Sequence, residues 1–381
     1  MTPTEDLHDE QTVTFRAPAE WAHQTASAPP VHQLLLLAET GAARRLPLAE
    51  FPVTIGRAPP AELVLEGGTI SRRHCRLEDQ DGHLLLTDLG STNGTYVDGI
   101  RVEAPVRLED GATITVGAHR LRYQRRGPDE AAEAEAMDRE LQEAADYVAS
   151  MLPPAIATGP VQTAWFHRPC TRLGGDAFGY QMLDPRTFAV FLLDVAGHGT
   201  GAALHSASIV NVLRRRLLPD VDFRDPAAVI RSLNQMFPME QHNALFFTIW
   251  YGVYDLDDRA LTFATGGHHA GYLLPLPKDD TPLWQPVALA TQNPAIGIAP
   301  DGEMAAARIV VPPDSALYLF SDGAFEIVGR DGREWGLQEI LPLLPAATGK
   351  DGPRALYDHV RAQARPGALD DDFSALLVRF P

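Results

Sequence analysis

The chain has 381 residues, with 50 acidic against 32 basic side chains and a net charge of −18. A chain of this length is expected to divide into two domains with connectors, and the acid excess argues against a phosphate-backbone footprint, so nucleic acid is not an expected partner. Two cysteines, Cys75 and Cys170, make no disulfide framework and no apolar run is long enough to span a bilayer, so a soluble protein of a reducing cytoplasm is expected, with no membrane contact.

Residues 1–30 are polar and acidic, with Pro3, Pro18, Pro29 and Pro30 scattered among threonines and little periodicity. Such a segment cannot bury enough apolar surface to order itself and is predicted to be a disordered tail. It carries Thr12 and Thr14 in the run Asp9 to Phe15, where a phosphate on either could fold back onto the domain that follows.

From Val31 to about Arg125 the pattern is one of short strands and turn signals. Val31–Ala38 and Phe51–Ile55 are apolar runs, Asp81-Gly82 and Asp98-Gly99 read as hairpin turns, and Glu109-Asp110-Gly111 precedes the alternating Ala112–Val116. Many short strands without a helical stretch predict a β-sandwich. Its loops read Gly56-Arg57, Ser71-Arg72-Arg73-His74 and Leu89-Gly90-Ser91-Thr92-Asn93-Gly94-Thr95. With these three motifs at this spacing, the segment 31–127 resembles a forkhead-associated (FHA) domain, a reader of phosphothreonine peptides. The chemistry agrees, because a phosphate needs a guanidinium and hydroxyl donors and a side-chain amide can hold a peptide main chain in register. The resemblance implies that Arg57, Ser71, Arg72 and Thr92 bind phosphate and Asn93 the peptide backbone, with Gly56 and His74 shaping the loops. The sandwich offers no nucleophile, base or metal set, so it is expected to bind and not to catalyse.

Asp129–Leu152, within a linker at 128–158, is rich in Ala and Glu, lacks Gly and Pro, and is stopped by Pro153-Pro154. Met137, Leu141, Ala144, Val148 and Met151 recur at spacings of four, three, four and three, which fits either a helix packed on its own catalytic domain or a coiled coil joining a homodimer. Further on, helices are expected over Gly201–Leu218 and from Asp225-Pro226 through Phe237, a hairpin over Ala244–Leu256 and Ala260–Ala264, and a surface insertion over Lys278–Pro286.

The stretch Phe191–Leu204, FLLDVAGHGTGAAL, is a buried-strand pattern that delivers Asp194 to a rim and then leaves the backbone bare with three glycines. Three further acids share that local design: Asp176 in Leu173-Gly174-Gly175-Asp176, Asp322 after Leu317–Ser321, and Asp371 before the closing strand Phe373–Phe380. Four carboxylates at strand ends, far apart in sequence, suggest one metal cradle. Oxygen-only ligation suits Mg(II) or Mn(II) and disfavours Zn(II). The ordered motifs GGD, DVAGHGTGAAL, FFTIWYGVYDLDDRALTFATGGHH, LYLFSDGAFE and DDFSALLV resemble the SpoIIE-type branch of the PPM metal-dependent serine/threonine protein phosphatases over residues 159–381.

That resemblance implies a multidomain protein, an all-β FHA sandwich followed by an α/β phosphatase domain of four αββα layers, in a bacterial signalling pathway. It implies two Mn(II) or Mg(II) ions, with Asp194 bridging them, Asp322 and Asp371 completing one site, and Asp176 with the carbonyl of Val195 completing the other. The substrate would be a phosphorylated protein, either a phosphorylated anti-sigma-factor antagonist or a protein of a Ser/Thr kinase pathway, with the FHA domain favouring the second, and the FHA ligand a phosphothreonine-bearing partner. His268 matches the Ala-Gly-His motif of the family and is expected to organise a loop; His269 does not match, and His198 is expected to be structural or to stand behind the ligands. Of Asp370 and Asp372, one is expected behind the metal acids. The sequence departs from the family at Gly179, where members commonly carry a second acid three residues after that of GGD. The rival reading is a non-catalytic or weakly active phosphothreonine-binding scaffold; an acidic calcium-binding protein lacks the clustered loop it would need.

Overall fold

The structure is a computed structural model and describes residues 30–37, 44–276, 286–365 and 367–381. The predicted tail with Thr12 and Thr14, and nearly all of the predicted insertion at Lys278–Pro286, lie outside the described residues.

The first unit is two facing sheets. One, in spatial order β2-β1-β11-β10-β7-β8, is built from β1 (Val31–Leu37), β2 (Arg44–Leu48), β7 (Thr95–Val97), β8 (Ile100–Arg101), β10 (Thr113–Val116) and β11 (His119–Arg126). The other, β4-β3-β5-β6-β9, uses β3 (Val53–Gly56), β4 (Leu63–Val64), β5 (Cys75–Gln80), β6 (His83–Asp88) and β9 (Val106–Arg107). Alternate residues of both sheets, among them Leu34, Ile55, Leu77, Leu86, Ile114 and Leu121, close one core between them. The two predicted hairpin turns are present, with Asp81, Gly82, Asp98 and Gly99 all at positive φ.

Helix α1 (Pro128–Ser150) follows, with Pro128 in its first turn, and buries no residue fully. Its seam is graded along its length. Met137 is exposed, Leu141, Ala144 and Val148 are half-buried, and Met151 just beyond the helix packs against the core of the second unit. The carboxy-terminal half of the seam therefore faces its own domain.

That unit has two five-stranded antiparallel sheets. One has the order β13-β14-β15-β16-β19, with β13 (Ala177–Asp184), β14 (Thr187–Val195), β15 (Phe247–Asp255), β16 (Ala260–Gly266) and β19 (Ala307–Val310). The other runs β12-β21-β20-β17-β18, with β12 (Gln162–Arg168), β17 (Gly271–Pro275), β18 (Val287–Leu289), β20 (Ser315–Phe320) and β21 (Phe373–Phe380). Phe178, Val190, Leu192 and Trp250 of the first sheet meet Leu317, Leu319, Leu376 and Val378 of the second. The outer face of the first packs under α2 (Thr200–Arg215) and α3 (Pro226–Met236), and that of the second under α4 (Leu337–Ile340) and α5 (Gly352–Gln363), giving four αββα layers. Asp225 caps α3 by accepting from the N–H groups of Ala227 and Ala228, as its place before Pro226 predicted. Helix α2 ends three residues short of the predicted Leu218, because Arg216 turns left-handed at φ 55° and the N–H of Leu217 closes back on the carbonyl of Val212.

Candidate functional site

Antiparallel pairing explains why acids so distant in sequence meet. Ala177, the first residue of β13, pairs with Leu193 near the end of β14, so Asp176 and Asp194 emerge at the same edge of one sheet. Phe320, the last residue of β20, pairs with Ala375 in β21, so Asp322 and Asp371 emerge together from the other. Both edges lie on the same side of the sandwich, since the N–H of Gly175, beside Asp176, donates to Oδ2 of Asp372, beside Asp371, at 2.6 Å.

The acids crowd one another. Burial, then the neighbouring Asp322, Asp371, Asp372 and Glu326, pushes the Asp194 carboxyl up to about 8. Burial and the charges of Asp371 and Glu326 raise Asp322 to about 6, and burial raises Asp371. Asp176 is 3 % exposed and is pushed well above the usual carboxylate range by burial first and by Asp194 and Asp372 next. Its Oδ2 is buried without a hydrogen-bond partner. Carboxylates that hold each other's protons, around an orphaned buried oxygen, fit a group of high positive charge and hard character. A sulfur stands beside them, since Cys170 Sγ and carboxylate oxygens of Asp371 and Asp372 lie within 4.8 Å of one another, but burial first and Asp372 next push that thiol up to about 12, so it keeps its proton.

The glycines around these acids are close-approach positions. A Cβ on Gly174 would stand 2.3 Å from Asp372 Oδ2, one on Gly175 2.7 Å from the Val195 carbonyl oxygen, and one on Gly323 2.2 Å from the Asp372 carbonyl oxygen. The Val195 carbonyl is thereby placed beside the loop of Asp176. Gly197 and Gly199 both have φ 88°, the left-handed region, and turn the chain from β14 into α2.

Of Asp370 and Asp372, it is Asp372 that lies behind the clustered acids. It is 2 % exposed and accepts the N–H of Cys170 at 2.8 Å on Oδ1 and that of Gly175 at 2.6 Å on Oδ2. Its own N–H donates to Asp371 Oδ1 at 2.7 Å. One carboxylate thus ties the loop before Asp176 to the strand start that carries Asp371. Ser321 and Ser374 lock the two sheet-edge strands, with Ser374 N–H donating to Ser321 Oγ at 2.9 Å and Ser321 Oγ to the Asp372 carbonyl at 3.1 Å. Asp370 points away and pairs with Arg365. Sequence reasoning passed over Ser321, Ser374 and Glu326; the position of Glu326, four residues after Asp322 on a turn whose N–H bonds back to the Asp322 carbonyl, was the available signal.

The histidines stand in different environments. His268 is buried, its imidazole pushed well below its ordinary range by burial, and its Nδ1 lies 3.0 Å from the His269 carbonyl, which is the environment of a neutral loop organiser. The His269 ring stands 4.8 Å from that of Phe320, and burial lowers it to about 4. His198 is exposed in the glycine loop and its charge is felt at Asp371. At Gly179 the structure supplies a reason for the missing acid. Gly179 pairs with Phe191 across the sheet, and a Cβ there would stand 2.5 Å from the Phe191 ring, so the aromatic side chain fills the place an acid would take.

At the sandwich, the five predicted residues share one loop cluster. Ser71 Oγ lies 3.4 Å from Thr92 Oγ1 and accepts the Thr92 N–H at 3.1 Å; the Arg57 N–H donates to the Ser71 carbonyl at 3.1 Å. Asn93 Nδ2 donates to the Thr69 carbonyl at 2.7 Å. Arg57, Arg72, Thr92 and Asn93 are exposed. His74 is fully buried: its Nδ1 accepts the Ser71 N–H at 3.1 Å, so Nε2 carries the proton and donates to the Gly94 carbonyl at 3.1 Å. A Cβ on Gly56 would meet the Arg72 carbonyl oxygen, so both loop-shaping assignments have a physical basis.

Comparison with known proteins matches residues 184–381 to the family described as stage II sporulation protein E (SpoIIE) and residues 53–117 to the FHA domain family. The first match begins after Asp176; the second contains all five loop residues. The FHA domain-containing protein FhaB of Mycobacterium tuberculosis is 45% identical over 78 residues, 20% of this chain and 49% of that protein. The phosphoserine phosphatase RsbP of Bacillus subtilis is 26% identical over 197 residues, 49% of this chain and 45% of that protein. The chain thus spans about half the length of these curated relatives. The SiaA-PP2C domain of Pseudomonas aeruginosa superposes with a TM-score of 0.55 at 20% identity, covering 66% of this chain and all of that one, which shows a shared fold.

Proposed function

The chain belongs to the SpoIIE family, and from that premise we propose that it is a metal-dependent protein serine/threonine phosphatase whose FHA domain binds a phosphothreonine-bearing partner or regulator. The observation that carries the reading is the convergence of Asp176, Asp194, Asp322 and Asp371 at one edge of the two-sheet sandwich, all four with carboxyls pushed towards protonation. Asp194, in β14 and within electrostatic reach of Asp322 and Asp371 from the other sheet, is assigned to both of two Mn(II) or Mg(II) ions. Asp322 and Asp371 are assigned to one, and Asp176 with the Val195 carbonyl to the other. Such a pair of cations, when bound, would lower the pKa of water and offset charge developing on phosphoryl oxygens, the help that phosphate-monoester hydrolysis most needs.

The chain's own residues orient and support that site. Asp372 holds the loop before Asp176 through two N–H groups, Ser321 and Ser374 keep Asp322 and Asp371 in register, and neutral His268 shapes the neighbouring loop. At the FHA end, Arg57, Ser71, Arg72 and Thr92 are assigned to the phosphate and Asn93 to the peptide main chain. The partition 31–127, 128–158 and 159–381 belongs to the same proposal, as do a Ser/Thr kinase pathway as the source of the ligands and the exposed side chains of α1, Met137 and Tyr147 among them, as a homodimer contact. Both cysteines are buried and free, which favours a cytoplasmic setting; among the described residues no helix is long and apolar enough to cross a membrane.

The rival of a weakly active scaffold draws on one observation, the filled position at Gly179. Hydrolysis of a phosphoserine peptide by the purified chain decides between them. Turnover that requires Mn(II) or Mg(II), stops with chelator and drops about a hundredfold or more in Asp322→Asn is expected; no turnover under any metal leaves the scaffold.

A further inference from the structure

The loop Cys170–Gly175 leads directly into Asp176. Among the described residues it is held by Asp372 at both ends and by the Gly199 N–H, which donates to the Leu173 carbonyl at 3.3 Å. A further attachment comes from outside the catalytic sheets. Arg172 Nη1 lies 3.1 Å from Asp138 Oδ1 and donates to the Asp138 carbonyl at 2.9 Å, and Asp138 is in the middle of α1. The other oxygen of the same carboxylate, Oδ2, lies 2.6 Å from Nη1 of Arg45 in β2, and that Nη1 also donates to the Ala134 carbonyl at 3.0 Å. One side chain of the linker helix therefore holds a guanidinium from the FHA sandwich on one oxygen and one from the Asp176 loop on the other.

Packing does not make this tether redundant. Between α1 and the loop is a cavity of about 240 Å³, with Gln142, Val148, His167, Arg172 and Leu173 in its walls. The three charged side chains are 34, 27 and 33 % exposed, so they are partly withdrawn from water and each is held by a second contact. Two cations on one carboxylate are also interdependent: each fixes the rotamer that the other needs.

We propose that Asp138 is a positioning residue for the metal-binding loop, and that the FHA sandwich, through Arg45, holds Asp138 in the orientation that restrains Arg172 and hence the approach to Asp176. The proposal rests on the phosphatase reading for its consequence, but its physical content is the rigidity of one loop. Hydrogen–deuterium exchange on the full chain, followed in peptides spanning 169–176, reads that rigidity whether or not the protein turns over substrate. Asp138→Asn is expected to speed exchange there about fivefold, the scale of a partly exposed ion pair, and Asp138→Glu to restore most of the protection. Arg45→Gln, a change in the other domain, is expected to speed the same peptides about twofold. In hydrolysis of a chromogenic phosphomonoester, Asp138→Asn is expected to need about fivefold more Mn(II) for half-maximal rate, while phosphothreonine-peptide affinity stays unchanged. Loop exchange equal to the parent in Asp138→Asn overturns the proposal, and so does an Arg45→Gln protein whose loop matches the parent. A parent that hydrolyses nothing defeats the phosphatase reading and leaves the exchange data to judge this one.

Discussion

Asp194→Asn is expected to stabilise the metal-free protein at alkaline pH while removing its response to metal. In the folded chain the Asp194 carboxyl is pushed from 3.8 up to about 8, by burial first and by Asp322, Asp371, Asp372 and Glu326 next. The folded state therefore keeps a proton that the unfolded chain releases near pH 4. Stability falls as pH rises through that window and levels off above about 8. At about 1.4 kcal/mol per pH unit the rise corresponds to at most about 6 kcal/mol, and water entry and relaxation, with the higher effective dielectric they bring, reduce this to about 2–3 kcal/mol. Asparagine stands in for the protonated acid and carries no such cost. In chelator at pH 8 the variant is expected to melt about 5–10 °C above the parent, with the gap closing towards pH 4. The crowding of Asp176 and Asp322 remains, so the variant still loses some stability as pH rises. Excess Mn(II) should reverse the order, since a ligand at a hundred times its Kd stabilises by about 2.7 kcal/mol and the variant lacks the carboxylate assigned to both ions. Thermal melts from pH 5 to 8.5, with chelator and with Mn(II), make the comparison. A variant no more stable than the parent at pH 8 in chelator, or a parent whose melting point does not fall between pH 5 and 8, would refute the reasoning.

Asp372→Asn keeps the shape but presents an amide NH₂ to one of two N–H donors, so it is expected to cost about 2–3 kcal/mol in a urea titration and to raise the Mn(II) requirement about tenfold. Arg57→Ala and Ser71→Ala should each weaken a phosphothreonine peptide about tenfold or more by calorimetry, with hydrolysis of a small phosphomonoester nearly unchanged; equal affinity in both would remove the FHA site assignment. Gly179→Ala should destabilise by about 1–3 kcal/mol because its Cβ meets the Phe191 ring, and adding Phe191→Leu should recover part of the loss; additive losses in the pair would mean that the contact is not the cause.

What the sequence determined by itself was what short stretches encode. Each of the four acids sits in a local strand-end pattern, each FHA loop is a contiguous motif, and the cap at Asp225-Pro226 is complete within four residues. Their residue types limit the chemistry, so the four clustering acids, the five residues that meet in one loop cluster of the sandwich and the order of an FHA domain before a phosphatase domain were legible before any coordinates. The tertiary structure decided what depends on partners distant in the chain. That Asp372 rather than Asp370 stands behind the cradle rests on N–H groups about 200 residues away, at Cys170 and Gly175. That no acid occupies position 179 follows from a ring brought opposite by strand register, not from the residues beside it. The heptad spacing of α1 served a coiled coil and a packed helix equally, because periodicity specifies a face and not what covers it; the core contact of Met151 and the two guanidiniums on Asp138 exist only once three separate segments have come together.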